Sequence, residues 1–169
     1  MSTALASIDV GVVAERRDAA NPWIDHVWTP SAVVHGAPAA EPWTIIHEDN
    51  GRAEFFVGLA KIELFASATA HYRDNLASGD PRVWVILRPT GVSPPFDLVA
   101  VTADPAEGEG YTQAGADLVD AVTMPASIIE FVAGFVAEHH VEREFFKRKR
   151  DRHPSDALSK RPRGDNDER

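Results

Sequence analysis

The chain has 169 residues and a formal net charge of −9 at neutral pH, long enough for one domain with a buried core and acidic overall. It contains no cysteine, which excludes disulfide scaffolds, thiolate zinc sites, cysteine-held iron–sulfur clusters and thiol catalysis. Met1 to Ser7 carries neither a cationic start nor a long apolar run, and no segment approaches the ~18 unbroken apolar residues of a membrane span, so the chain reads as cytoplasmic.

Ile8, Val10 and Val12 alternate with Asp9 and Gly11, the period-two pattern of a half-buried strand that ends near Arg16 and Arg17. A turn follows at Asp18 to Pro22, and Trp23 to Val34 keeps an extended, aromatic-rich composition. Gly36, Pro38 and Pro42 mark a loop before a short strand at Trp43 to His47. Asp49-Asn50-Gly51 is a hairpin signal, because Asn-Gly supplies the positive φ angles of a tight primed turn. Ala53 to Phe65 then reads as a long strand bent at Gly58.

Ser67 to Ser78 has Tyr72 and Leu76 four apart and Gly79 just beyond, which predicts a short helix. Val83 to Leu87 is a continuous apolar run, a strand buried on both faces, and Phe96 to Val101 is its expected neighbour across Pro94-Pro95. Asp104-Pro105-Ala106-Glu107 combines an acidic cap, proline at the first helical position and Glu three after the cap, with Gly108 and Gly110 expected to limit the helix. Asp117 to Thr123 carries no clear period. Pro125 opens the main helix, in which Ile128, Val132, Phe135, His139 and Phe146 form one stripe if it runs to Arg150, roughly 39 Å at the α-helical rise. Pro154 stops it, and the polar remainder is expected to be disordered. The domain prediction is therefore residues 1–153 as one globular unit and 154–169 as a polar tail.

The charge is segregated. Residues 1–141 hold 7 Lys or Arg against 19 Asp or Glu, a net of −12, while residues 142–169 hold 10 against 7, a net of +3. Phe145 and Phe146 stand at that junction, directly before Lys147, Arg148, Lys149 and Arg150. Two aromatics beside a cationic run suit docking, with the phenylalanines as anchors and the cations steering an acidic partner. The same run also complements the dipole of a helix end and would serve as a solvated terminus. Nucleic acid is a weaker reading, since the acidic body would repel the same phosphates.

Catalytic patterns are sparse. Ser7, Ser31, Ser67 and Ser127 lie in no Gly-x-Ser-x-Gly turn, and neither a Walker loop nor a G-x-G-x-x-G run is present. Val10 to Arg17 supplies one glycine where a phosphate loop supplies several, which leaves Arg16, Arg17, Arg73 and Arg88 as the phosphate ligands of any nucleotide reading. His139 and Glu142 sit one turn apart and could ligate a metal if His71 or His47 joined them; the alternative is a core-edge His139 and a solvated His140. Trp23, Trp28, Trp43 and Trp84 suit a stacking platform or, in a mainly β domain, core and sheet-edge packing. Arg73 and Asn75 suit local capping.

Several blocks taken together carry a family resemblance: Asn21-Pro22-Trp23, Trp28-Thr29-Pro30, Glu63-Leu64-Phe65, Tyr72-Arg73-Asp74-Asn75-Leu76, Val83 to Arg88, and His139-His140 followed by Phe146 to Arg150. Over about residues 8 to 153 the chain resembles the bacterial domain of unknown function family 3305. That resemblance implies a setting beside formate dehydrogenase and other molybdoenzyme subunits, and some members carry a label for molybdenum-cofactor guanylyl transfer.

The resulting expectation is an α+β fold, an antiparallel twisted sheet of about six strands packed by a short helix and a long C-terminal helix. The expected function is a non-enzymatic accessory protein without a cofactor. Its partner is an acidic protein surface, a molybdoenzyme subunit or its chaperone, engaged through Phe145, Phe146, Lys147, Arg148, Lys149 and Arg150. The competing expectation is a guanylyltransferase-like, nucleotide-handling enzyme.

Overall fold

A computed structural model describes residues 3–36 and 38–140. Strand β1 (Ala6–Asp18) runs antiparallel to both β2 (His26–His35) and β4 (Arg52–Leu64), and β3 (Thr44–Asp49) pairs with the first half of β4. The sheet order is β2-β1-β4-β3. The hairpin between β3 and β4 turns at Asn50 (φ 40°) and Gly51 (φ 76°), the left-handed pair that Asn-Gly was expected to supply.

After β4 come a 3-10 turn at Ala66–Ala68 and helix α1 (Thr69–Ala77), which lead into a second sheet. There β5 (Arg82–Pro89) lies between β6 (Phe96–Thr102) and β7 (Leu118–Thr123), again antiparallel, with α2 (Pro105–Ala114) linking β6 to β7 and α3 (Ala126–His139) following. The α+β class and the antiparallel pairing are as expected, but the single sheet of about six strands is corrected, among the described residues, to seven strands in sheets of four and three. β4 explains the division. At Gly58 (φ 155°) its register against β1 slips by one residue, so its first half pairs with β3 while its second half lies beside β6 without entering that ladder.

One core joins both sheets. Val10, Val12 and Ala14 from β1, Ile62 and Leu64 from β4, and Val83, Val85 and Leu87 from β5 are buried together with Tyr72 of α1 and Ile128, Val132 and Phe135 of α3. Each of those three α3 side chains contributes about 1.5–3 kcal/mol by leaving water. On the opposite face of β5, Ile86 is buried and Trp84 packs on α2. This two-sided burial accounts for the unbroken apolar run at residues 83–87.

Asp104 caps α2 as the sequence predicts, its carboxylate accepting from the Ala106 N–H at 2.9 Å. Across the second sheet, the Arg88 guanidinium donates to both carboxylate oxygens of Asp117, at 2.9 and 3.1 Å, tying β5 to the residue before β7. Those hydrogen bonds hold the Asp117 carboxyl below the usual carboxylate range. A depressed acid stabilises the fold above its unfolded pKa, and that contribution disappears as pH falls through the lowered native value. Asp117→Asn is therefore expected to melt below the parent at pH 7 and to converge with it in acid, which a series of thermal melts from pH 7 to 2 checks.

Candidate partner-binding site at the end of the last helix

Phe145, Phe146, Lys147, Arg148, Lys149 and Arg150 lie outside the described residues, as does Glu142. What the structure defines is the ground from which they depart. Helix α3 starts after Pro125, whose φ of −61° and ψ of 150° stop the backbone from extending the helix backwards. Its buried side is the predicted stripe of Ile128, Val132 and Phe135, and the His139 ring continues it, 4.4 Å from the Phe135 centroid.

The helix ends at His139. His140 is extended (φ −75°, ψ 117°), and residues 141–150, to which the helix was expected to run, lie outside the described residues. A side-chain clamp accounts for the stop. His140 Nδ1 lies 3.1 Å from Thr69 Oγ1 and Nε2 lies 3.0 Å from Arg73 Nη1, both on α1. Thr69 donates its one hydroxyl hydrogen to the Ala66 carbonyl at 3.1 Å, so it accepts from His140 Nδ1–H and leaves Nε2 to accept from Arg73. His140, expected as a solvated residue, instead fixes where the chain leaves α3.

The block Tyr72-Arg73-Asp74-Asn75-Leu76 explains how α1 holds that position. Tyr72 and Asn75, three apart, both point inward, whereas Arg73 points outward to His140. The Tyr72 ring meets Phe135 edge-on at 6.2 Å, its hydroxyl oxygen accepts from the Phe65 N–H at 3.1 Å, and burial pushes its pKa up. Asn75 caps nothing locally: its amide bonds span α1, β5 and the residue after β6.

Beside the same end of α3 lies a groove of about 580 Å³, between Leu5 and Ala6 on one side and Glu130, Phe131, Gly134, Phe135, Glu138 and His139 on the other. Sequence reading followed the apolar stripe of α3 and passed over this face. The signal was present, since Glu130, Gly134 and Glu138 recur every four residues. A smaller cleft of about 270 Å³ separates β4 from β6 and reaches Thr102 and Glu107. Two of its polar residues are committed to starting α2 and a third pairs within the first sheet: Thr102 Oγ1 donates to Glu107 at 2.8 Å and accepts from the Asp104 N–H at 3.0 Å, while Lys61 Nζ lies 2.8 Å from Asp9.

The other sequence candidates are distributed over the fold. Arg16 lies over the rings of Trp28 and Phe55 at 5.9 and 5.1 Å, Arg17 pairs with Glu15, Arg73 reaches His140 and Arg88 reaches Asp117. Trp28 and Trp43 pack edge to face with Phe55 and Phe96 close by, Trp84 packs on α2, and Trp23 stands 91 % exposed, so the four tryptophans do not form one platform. His47 lies on exposed β3 and His71 faces Asp104; among the described residues no three His, Asp or Glu side chains converge as metal ligands would. Among the same residues, no helix is long and apolar enough to cross a membrane.

A family described as "Protein of unknown function (DUF3305)" matches residues 9–150. Neither a curated protein nor a solved structure matches the chain.

Proposed function

This chain belongs to the DUF3305 family, and from that premise we propose that it is a cytoplasmic, non-enzymatic accessory protein that docks on an acidic protein surface through Phe145 to Arg150. The carrying observation is the break in charge, a net of −12 over residues 1–141 and +3 over residues 142–169, with two phenylalanines beside the break. Phenylalanine anchors supply affinity by burial, and the four consecutive cations supply encounter rate and selection against basic partners. The clamp of His140 onto Thr69 and Arg73 supports the reading, because it launches this segment from a fixed point rather than from a fraying helix. The proposed partner is a formate dehydrogenase-type molybdoenzyme subunit or its maturation partner, the setting that the family resemblance implies.

The test is co-purification from native cells with the full chain and with one carrying Phe145→Ala and Phe146→Ala. Truncating each anchor is expected to weaken capture about 30-fold or more, the ~2 kcal/mol that marks a hot spot. Replacing Lys147 to Arg150 by glutamine should chiefly slow association and flatten its salt dependence. Capture of the same partner at parental strength by both variants would refute the proposal.

A further inference from the structure

We infer that the outer edge of β3 is a docking edge for an extended protein segment that is cationic at both ends and apolar between them, and that this segment adds to the first sheet as a further strand. None of the residues in the function proposed above takes part.

Among the described residues this edge stands alone. β2 lies beside β7 and β4 beside β6, so those edges face other strands, whereas β3 closes the sheet order and all six of its residues are exposed. Alternate residues of an edge strand aim N–H and C=O away from the ladder, a row of unfilled hydrogen-bonding groups. Proteins commonly blunt such a row with lysine or proline, and Thr44-Ile45-Ile46-His47-Glu48-Asp49 contains neither. A bulge inserts Ile46 between the pairs Ile45–Phe55 and His47–Glu54 without hiding the apolar centre, for Ile45 and Ile46 are 48 and 55 % exposed.

The edge is also held ready. Trp43 enters β3 with a φ of 68°, a left-handed conformation rare for so bulky a residue, and its ring is fixed 5.6 Å from Trp28 and 6.1 Å from Phe55. The Asn50-Gly51 turn fixes the other end. A guest strand therefore meets a backbone with little conformational freedom left to lose.

Charge selects the guest. Glu41 closes the turn into β3, its carbonyl accepting from the Thr44 N–H at 3.3 Å, and Glu48 and Asp49 end the strand. None of these three carboxylates has a hydrogen bond or ion pair among the described residues, and Arg52, opposite Asp49 in the ladder, is turned to Glu15 and Glu54. From Thr44 to Asp49 the strand covers about 17 Å. Lysine or arginine at each end of a guest of equal length falls within reach of these acids, with β-branched residues over Ile45 and Ile46. A second copy of the chain fits less well. Antiparallel pairing centred on Ile46 would bring Glu41 of each copy toward Asp49 of the other, and parallel pairing would stack each acid on its own counterpart.

The probe is an acetylated peptide of that length, lysine at both ends and valine alternating with threonine between, added at millimolar concentration to the full chain. Amide exchange followed by NMR is expected to slow severalfold at the amides of β3 that face away from β4, and to stay unchanged in β2 and β6. Replacing the terminal lysines by glutamate, or N-methylating every valine and threonine amide of the peptide, should abolish the effect. In the protein, Glu41→Gln, Glu48→Gln and Asp49→Asn together should weaken binding about 10-fold at low salt while leaving the melting temperature unchanged. Ile45→Thr with Ile46→Thr should weaken it severalfold. Absence of slowing at β3, equal binding of the glutamate-ended peptide, or binding that survives N-methylation overturns the inference. So does protection of the same amides in the chain alone: growth with protein concentration assigns the edge to a second copy, and independence of concentration assigns it to another part of this chain. These measurements need no co-purified partner and no change within residues 145–150, so their failure is separate from failure of the function proposed above.

Discussion

Asn75→Leu is expected to cost the fold about 3 kcal/mol or more. Asn75 is 5 % exposed, and its amide makes three bonds to main chain: Nδ2 donates to the Arg82 carbonyl at 2.8 Å and the Ala103 carbonyl at 3.0 Å, while Oδ1 accepts from the Arg82 N–H at 3.0 Å. These groups belong to the first residue of β5 and the residue after β6, so one side chain from α1 fastens both strand ends. Leucine has the same branched shape, with larger methyl groups in place of the amide atoms, and satisfies none of them. Each unpaired buried backbone group costs about 1–3 kcal/mol, and partial rehydration of the two carbonyls keeps the sum near the lower end. Asn75→Asp separates shape from donation: it keeps the acceptor for Arg82 N–H but loses both donated bonds and places carboxylate oxygens against two carbonyls. Chemical denaturation should rank the parent well above both variants. A loss below ~1 kcal/mol for leucine would show that the amide does not fasten these strands.

That residue marks a limit of sequence reading. Asn75 looked like a local cap because asparagine near a helix end usually bonds its own turn; its real partners are 7 and 28 residues away, and no spacing rule encodes them. Elements whose signal is local were legible: the alternation in β1, the Asn50-Gly51 turn, the two-sided apolar run of β5 and the Asp104 cap. β7 was not, because Asp120 and Thr123 interrupt its apolar pattern and its place is set by pairing with β5. The division into two sheets was equally hidden, since it follows from which half of β4 meets β3 and which meets β6.

The site was legible in part for a similar reason. Charge segregation and the phenylalanine pair are written along the chain, whereas the end of α3 depends on His140 finding Thr69 and Arg73, 71 and 67 residues earlier. Helical periodicity alone carried the helix on to Arg150, because nothing in residues 136–150 breaks it. A tertiary contact overrode propensity at one residue, His140.

Gly108→Ala is expected to destabilise the protein by about 1–3 kcal/mol, reversing the usual sign for such a change within a helix. In an unhindered helix, alanine gains roughly 0.5–1 kcal/mol over glycine. Here a Cβ on residue 108 would stand 2.4 Å from Cγ of Trp84 and 2.5 Å from Cδ1, distances that no small adjustment accommodates. Gly108 was expected to shorten α2, yet the helix runs ten residues through it, and the glycine serves instead to let the indole lie against the helix. Trp84 sits on the central strand of its sheet, opposite Ala121 of β7 and Thr102 of β6, so displacing it disturbs both neighbours. The pairing can be isolated with a double-mutant cycle. Trp84→Leu alone should lose packing, but Gly108→Ala introduced into that background should be near neutral or favourable, giving a coupling of about 1–3 kcal/mol. Additive losses in urea unfolding would mean that the clash is relieved elsewhere and that the glycine is not kept for the tryptophan. Gly110, two positions on, is the internal control: a Cβ there meets nothing within 4 Å, so Gly110→Ala should stabilise by the ordinary helix increment.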